Sequence, residues 1–85
     1  MIVEGRRMKT INIDGKDYTY SEGDTWSVEV GRWEKGAYRG RYSLDTPHKA
    51  MWYFNCINIG KGYKKRLSLV RAENGKRVTV ARQAS

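Results

Sequence analysis

"TWSVEVGRWEKGAYRGRYSL", residues 25–44, decides the fold. Apolar and polar residues alternate on both sides of Glu34-Lys35-Gly36. That is the pattern of two half-buried strands joined by a three-residue loop with glycine in the left-handed position. Setting Trp33 opposite Ala37 fixes the register. One face then pairs Trp26 with Leu44, Val28 with Tyr42, Val30 with Gly40, and Arg32 with Tyr38. The other pairs Ser27 with Ser43, Glu29 with Arg41, Gly31 with Arg39, and Trp33 with Ala37. Tyr38 and Tyr42 are thereby assigned to the core, and Arg39 and Arg41 to the polar face, with Glu29 opposing Arg41.

Turn signals recur on either side of this hairpin at the spacing of short strands. In "TINIDGKDYTY", Asp14-Gly15 suits a two-residue type I′ turn that sets Ile11 opposite Tyr18 and Lys9 opposite Tyr20. "SEGD" (21–24) is a polar connection. "DTPHK" (45–49) is a second break, with room for one helical turn but not a full helix. "AMWYFNCINI" (50–59) is apolar almost throughout and reads as a strand covered on both sides. "GKG" (60–62) turns into "YKKRLSLVRA", and Asn74-Gly75 reads as another type I′ turn into "KRVTVARQA". That last turn sets Arg71 opposite Val78, Leu69 opposite Val80 and Leu67 opposite Arg82. The expected architecture is all-β: one antiparallel meander of about seven short strands, curled into a small barrel (SH3-like or OB-like) or folded as a two-layer sandwich.

Eighty-five residues hold a single domain. Residues 83–85 read as a frayed tail and 1–7 as a disordered extension or an alternative start, since "MKTINIDG" from Met8 itself reads as a beginning. A core this small must use large side chains, and the chain supplies aromatics from Tyr18 to Tyr63. Cys56 is the one cysteine and His48 the one histidine, so a single chain can assemble neither an internal disulfide nor a zinc site. No stretch reaches membrane-spanning length, and the N-terminus lacks the apolar run of a secretion signal. The expectation is a reduced, cytoplasmic protein without a cofactor.

The net charge of +8 is unevenly placed: residues 1–34 carry seven acids and five bases, and residues 35–85 two acids and twelve bases, more than the whole excess. Such concentration speaks to polyanionic partners. The densest cluster is "GKGYKKRLS" (60–68), where Lys61, Lys64, Lys65 and Arg66 surround Tyr63. A flexible turn there offers cations to phosphates and a ring for base stacking. Trp33 with Arg39 on the polar face of the central hairpin forms a second candidate, Arg39 ranking above the Glu29-opposed Arg41. Arg71, Arg77 and Arg82 are possible extensions of the basic surface.

Catalytic patterns are weak. Asp45 and His48 share a polar loop but have no assignable nucleophile, and Asp14, Asp17, Glu22 and Asp24 lack calcium-loop spacing. These residues point to a non-catalytic nucleic-acid-binding domain, with single-stranded DNA or RNA favoured. Two rival classes fit the same charge: a small regulator or inhibitor docking an acidic protein, and a structural subunit of a larger assembly, including a homo-oligomer.

Overall fold

The computed structural model describes residues 8–32 and 40–84. Their elements are β1 (Met8–Ile13), β2 (Lys16–Ser21), β3 (Thr25–Arg32), β4 (Gly40–Leu44), α1 (Pro47–Cys56), β5 (Tyr63–Val70) and β6 (Arg77–Ala84). β1 and β2 form a separate two-stranded sheet, and the other strands form a four-stranded sheet in the order β4-β3-β5-β6. Every pairing is antiparallel. The chain is mostly β as expected, but it is not a closed barrel: β4 and β6 remain separate edges. There are six strands rather than seven among the described residues, because one expected strand is a helix.

Residues 50–59 carry that difference. Thr46 holds an extended N-cap conformation, its Oγ1 accepts from the Lys49 N–H at 3.3 Å, and Pro47 occupies the first turn. A hydroxyl N-cap followed by proline is a helix start, since proline's missing N–H has no intrahelical partner at that position. The helix then buries Pro47, Ala50 and Phe54, of which Ala50 and Phe54 sit at i, i+4 on one face. Trp52 points to solvent, 67% exposed. The apolar run is thus one-sided, and its helical phase was masked by consecutive aromatics.

The hairpins follow their turn chemistry with one exception. Asp14 (φ 52°) and Gly15 (φ 84°) both take left-handed backbone, as a type I′ turn requires, and set Ile11 opposite Tyr18. Trp26 to Val30 pair with Leu44 to Gly40 in the expected register. The pairs involving Trp33, Ala37, Tyr38 and Arg39, and the loop at 34–36, lie outside the described residues.

The last hairpin differs. The Gly75 N–H donates to the Arg71 carbonyl at 2.7 Å and the Arg71 N–H to the Lys76 carbonyl at 2.9 Å, so residues 72–75 form a four-residue loop. Leu69 therefore faces Val78, and a bulge between Leu67 and Ser68 brings Ala81 opposite Leu67 and Arg82 opposite Arg66. The expected two-residue turn would have put Arg82 against Leu67, within the core. The observed register keeps that face apolar and moves the guanidinium to the other one.

The core lies on one side of the larger sheet. Trp26, Val28, Leu67 and Leu69 meet Ala50 and Phe54 of α1 and Ile13 of the β1–β2 hairpin. Trp26 is fully enclosed, and Tyr20 meets it edge-on with ring centroids 5.4 Å apart. The hairpin is fastened by the Tyr18 hydroxyl, which donates to the Val80 carbonyl at 3.4 Å. A second fastening is Asp24. Its carboxylate accepts from the Ser21 N–H and hydroxyl, the Ala72 N–H and the Arg71 guanidinium. Burial alone would push this carboxyl up, yet those hydrogen bonds prevail and hold it below its ordinary range. α1 and the β1–β2 hairpin thus cover the same side of the larger sheet; its opposite side has no covering element among the described residues.

Candidate functional site

Strand alternation decides what the uncovered face displays. β3 contributes Ser27, Glu29 and Gly31, and β4 places Ser43 and Arg41 beside them. β5 adds Lys64, Arg66 and Ser68 in register with Gly31, Glu29 and Ser27. β6 completes the face with Arg77, Thr79 and Arg82, the last directly opposite Arg66 through the bulge. The result is short side chains and glycine between long cations.

Glu29 organises the centre. It is 1% exposed with no helix or strand over it among the described residues, and the Arg66 and Arg77 side chains close on it. Its Oε1 accepts from Arg66 Nε at 3.2 Å, Arg66 Nη2 at 2.8 Å and Arg77 Nη1 at 3.0 Å. Arg41 approaches Oε2 at 3.6 Å with its own side chain 60% exposed. Arg77 reaches this position from β6 across β5, and its Nη1 also lies 3.4 Å from the Ser27 hydroxyl. Ser68 is sealed off, its hydroxyl without a hydrogen-bond partner.

Glu29 is the one carboxylate on this face among the described strand residues, set against Arg41, Lys64, Arg66, Arg77 and Arg82. Moreover, the like charges of Arg66 and Arg82 stand directly opposite, an arrangement that destabilises a sheet. A face that gathers cations side by side at a cost in stability is chemically suited to an anionic partner.

The structure separates the residues singled out from the sequence. Lys64 and Arg66 lie on the uncovered face. Lys65 lies on the core side, 4% exposed, where its ammonium donates to the carbonyls of Phe54 and of Ile57, the latter at 3.0 Å. It caps the C-terminal end of α1 and does not belong to the basic surface. Lys61 is exposed in the turn before β5. Tyr63 pairs with Arg32 across the strands, and that guanidinium sits 5.4 Å from its ring centre. Lys61, Tyr63 and Arg32 line a small open depression at the sheet's end, with Tyr63 and Arg32 on the side that faces the core. Trp33 and Arg39 lie outside the described residues.

Arg41 and Arg77 join the face more centrally than the sequence suggested, whereas Arg71 is committed to Asp24 and the Thr19 carbonyl. The Asp45–His48 pairing does not form as a dyad: Asp45 meets Lys49 at 3.1 Å instead, and that ammonium holds its carboxyl below the ordinary range. Among the described residues no three metal-ligating side chains come together, and no helix is long and apolar enough to cross a membrane. No protein-family model, curated protein or solved structure matches the chain.

Proposed function

We propose that this chain is a non-catalytic nucleic-acid-binding domain whose contact surface is the uncovered face of the β4-β3-β5-β6 sheet. The observation that carries this reading is the gathering of the Arg41, Arg66 and Arg77 guanidinium groups on the buried Glu29, with Arg82 directly opposite Arg66. Phosphate oxygens accept from such groups as carboxylates do, and arginine's fork matches them bidentately. Arg41, Lys64, Arg66, Arg77 and Arg82 are the contact residues, and Glu29 holds two of them in place. Short neighbours on the outer strands, Ser43 and Thr79, leave room beside these cations for a partner.

Binding of this kind depends on salt, because each neutralised phosphate releases a counterion. Five such contacts on duplex DNA lower affinity about five-hundredfold between roughly 50 and 200 mM salt. Fluorescence anisotropy with labelled mixed-sequence oligonucleotides measures this directly. Binding that weakens along that slope supports the reading. An absence of binding at low salt overturns it, and leaves the docking of an acidic protein to account for the same cations.

A further inference from the structure

Resting on that reading, we infer that the partner is a single-stranded nucleic acid that crosses the β4 edge of the sheet, setting a phosphate on Arg41 and stacking a base on Tyr42. Successive residues of a strand point to opposite faces. Arg41 therefore stands on the uncovered side of β4, and Tyr42, in register with Val28, on the core side. In the middle of a sheet two such side chains cannot meet one ligand. On an outermost strand they can, and β4 is outermost, paired with β3 alone among the described residues.

The first observation is the ring. Tyr42 is 45% exposed, although its register with Val28 marks it for the core. Tyr53 of α1 stands beside it, with ring centroids 4.7 Å apart and planes tilted by 36°. Gly40, two residues back on the same side of β4, leaves the ring its place: a Cβ there would lie 4.0 Å from Tyr42 Cε2. The ring is thus held by its neighbours while part of its surface stays open. Such a ring is a stacking platform, since every base has a π-face. Paired bases in a duplex spend those faces on one another, whereas the bases of a single strand can leave the stack.

The second observation is the cation next along the chain. The Arg41 side chain is 60% exposed and comes only within 3.6 Å of Glu29 Oε2, beyond hydrogen-bond distance. Arg66 and Arg77 by contrast are bonded to Oε1. A phosphate can therefore draw Arg41 outward while the other two stay on the carboxylate. The third observation is the backbone between the two side chains. No strand pairs with the outer edge of β4 among the described residues, and N–H groups on such an edge donate to phosphate or base oxygens. Charge, donors and ring follow one another across the edge, as phosphate and base do in a nucleotide.

The test compares, by anisotropy at equal salt, a labelled mixed-sequence single strand with the duplex it forms with its complement. The single strand is expected to bind at least tenfold tighter. Tyr42→Leu removes the ring but keeps an apolar side chain beside Tyr53. It is expected to weaken single-strand binding about tenfold and to leave the log–log salt slope unchanged, while Tyr42→Phe stays within twofold of the parent. Arg41→Ala is expected to flatten that slope by about 0.7. A duplex bound as tightly as the single strand, or Tyr42→Leu binding like the parent, overturns this inference and leaves the nucleic-acid reading standing. No binding of either probe at low salt overturns both.

Discussion

Replacing Glu29 by glutamine keeps the shape of the side chain and removes the charge that gathers the arginines. The Arg41 contact is long and exposed, so it contributes a few tenths of a kcal/mol at most. Arg66 and Arg77 matter more, because their side chains are 23% and 30% exposed against a carboxylate at 2%. They make three hydrogen bonds to Oε1, and bonds to a charged partner are worth about 1.5–3 kcal/mol each. A neutral amide oxygen retains about half of that strength. Glu29→Gln is therefore expected to lose about 3 kcal/mol, with Arg66, Arg77 and Arg82 left to repel one another. For a domain of this size that corresponds to a fall in Tm of roughly 12–24 °C. Urea unfolding followed by circular dichroism measures it, and a saturating oligonucleotide should restore part of the loss by binding the folded state alone. A variant within about 1 kcal/mol of the parent refutes the view that Glu29 organises this face.

Lys65→Met should destabilise the domain by about 2 kcal/mol by removing the donor to the last carbonyls of α1. Its oligonucleotide affinity should stay within twofold of the parent in anisotropy, whereas loss of binding would place Lys65 at the interface. Gly15→Ala puts a Cβ into open space but on left-handed backbone, so a cost of about 1–2 kcal/mol in a thermal melt reports backbone strain alone. Asp24 has a lowered pKa when folded, so its contribution is complete above its ordinary pKa and is lost as pH falls through the folded value. Urea midpoints taken on descending from pH 6 should show that acid limb in the parent and a flatter one in Asp24→Asn.

Local chemistry made part of this fold readable. Asp14-Gly15 announces its own turn type, and the alternation from Trp26 to Leu44 allows one register that buries the apolar set. The helix was missed for a physical reason: Met51 to Phe54 supply apolar residues on every side, hiding the one-sided burial of Ala50 and Phe54. Its start was nonetheless written in Thr46-Pro47. Asn74-Gly75 misled in a different way, because the pairing of Leu67 and Leu69 with apolar partners outweighed the preference for a two-residue turn.

The site was half legible. Period-two alternation in "YKKRLSL" already divides Lys64 and Arg66 from Lys65, which keeps company with Leu67 and Leu69. The Glu29–Arg41 pair follows from one hairpin. Joining Glu29 to Arg66 and Arg77 requires β3 to pair with β5 and β5 with β6, contacts spanning 37 and 48 residues. No local pattern encodes such distant pairings.

The most direct test of the central claim is a backbone amide NMR titration of the chain with an unlabelled single-stranded oligonucleotide. The account expects shifts concentrated on Ser27, Glu29, Arg41, Tyr42, Lys64, Arg66, Ser68, Arg77 and Arg82, with the exposed side of α1 around Trp52 unchanged. Shifts centred on α1, or none at a concentration where anisotropy reports binding, would contradict it.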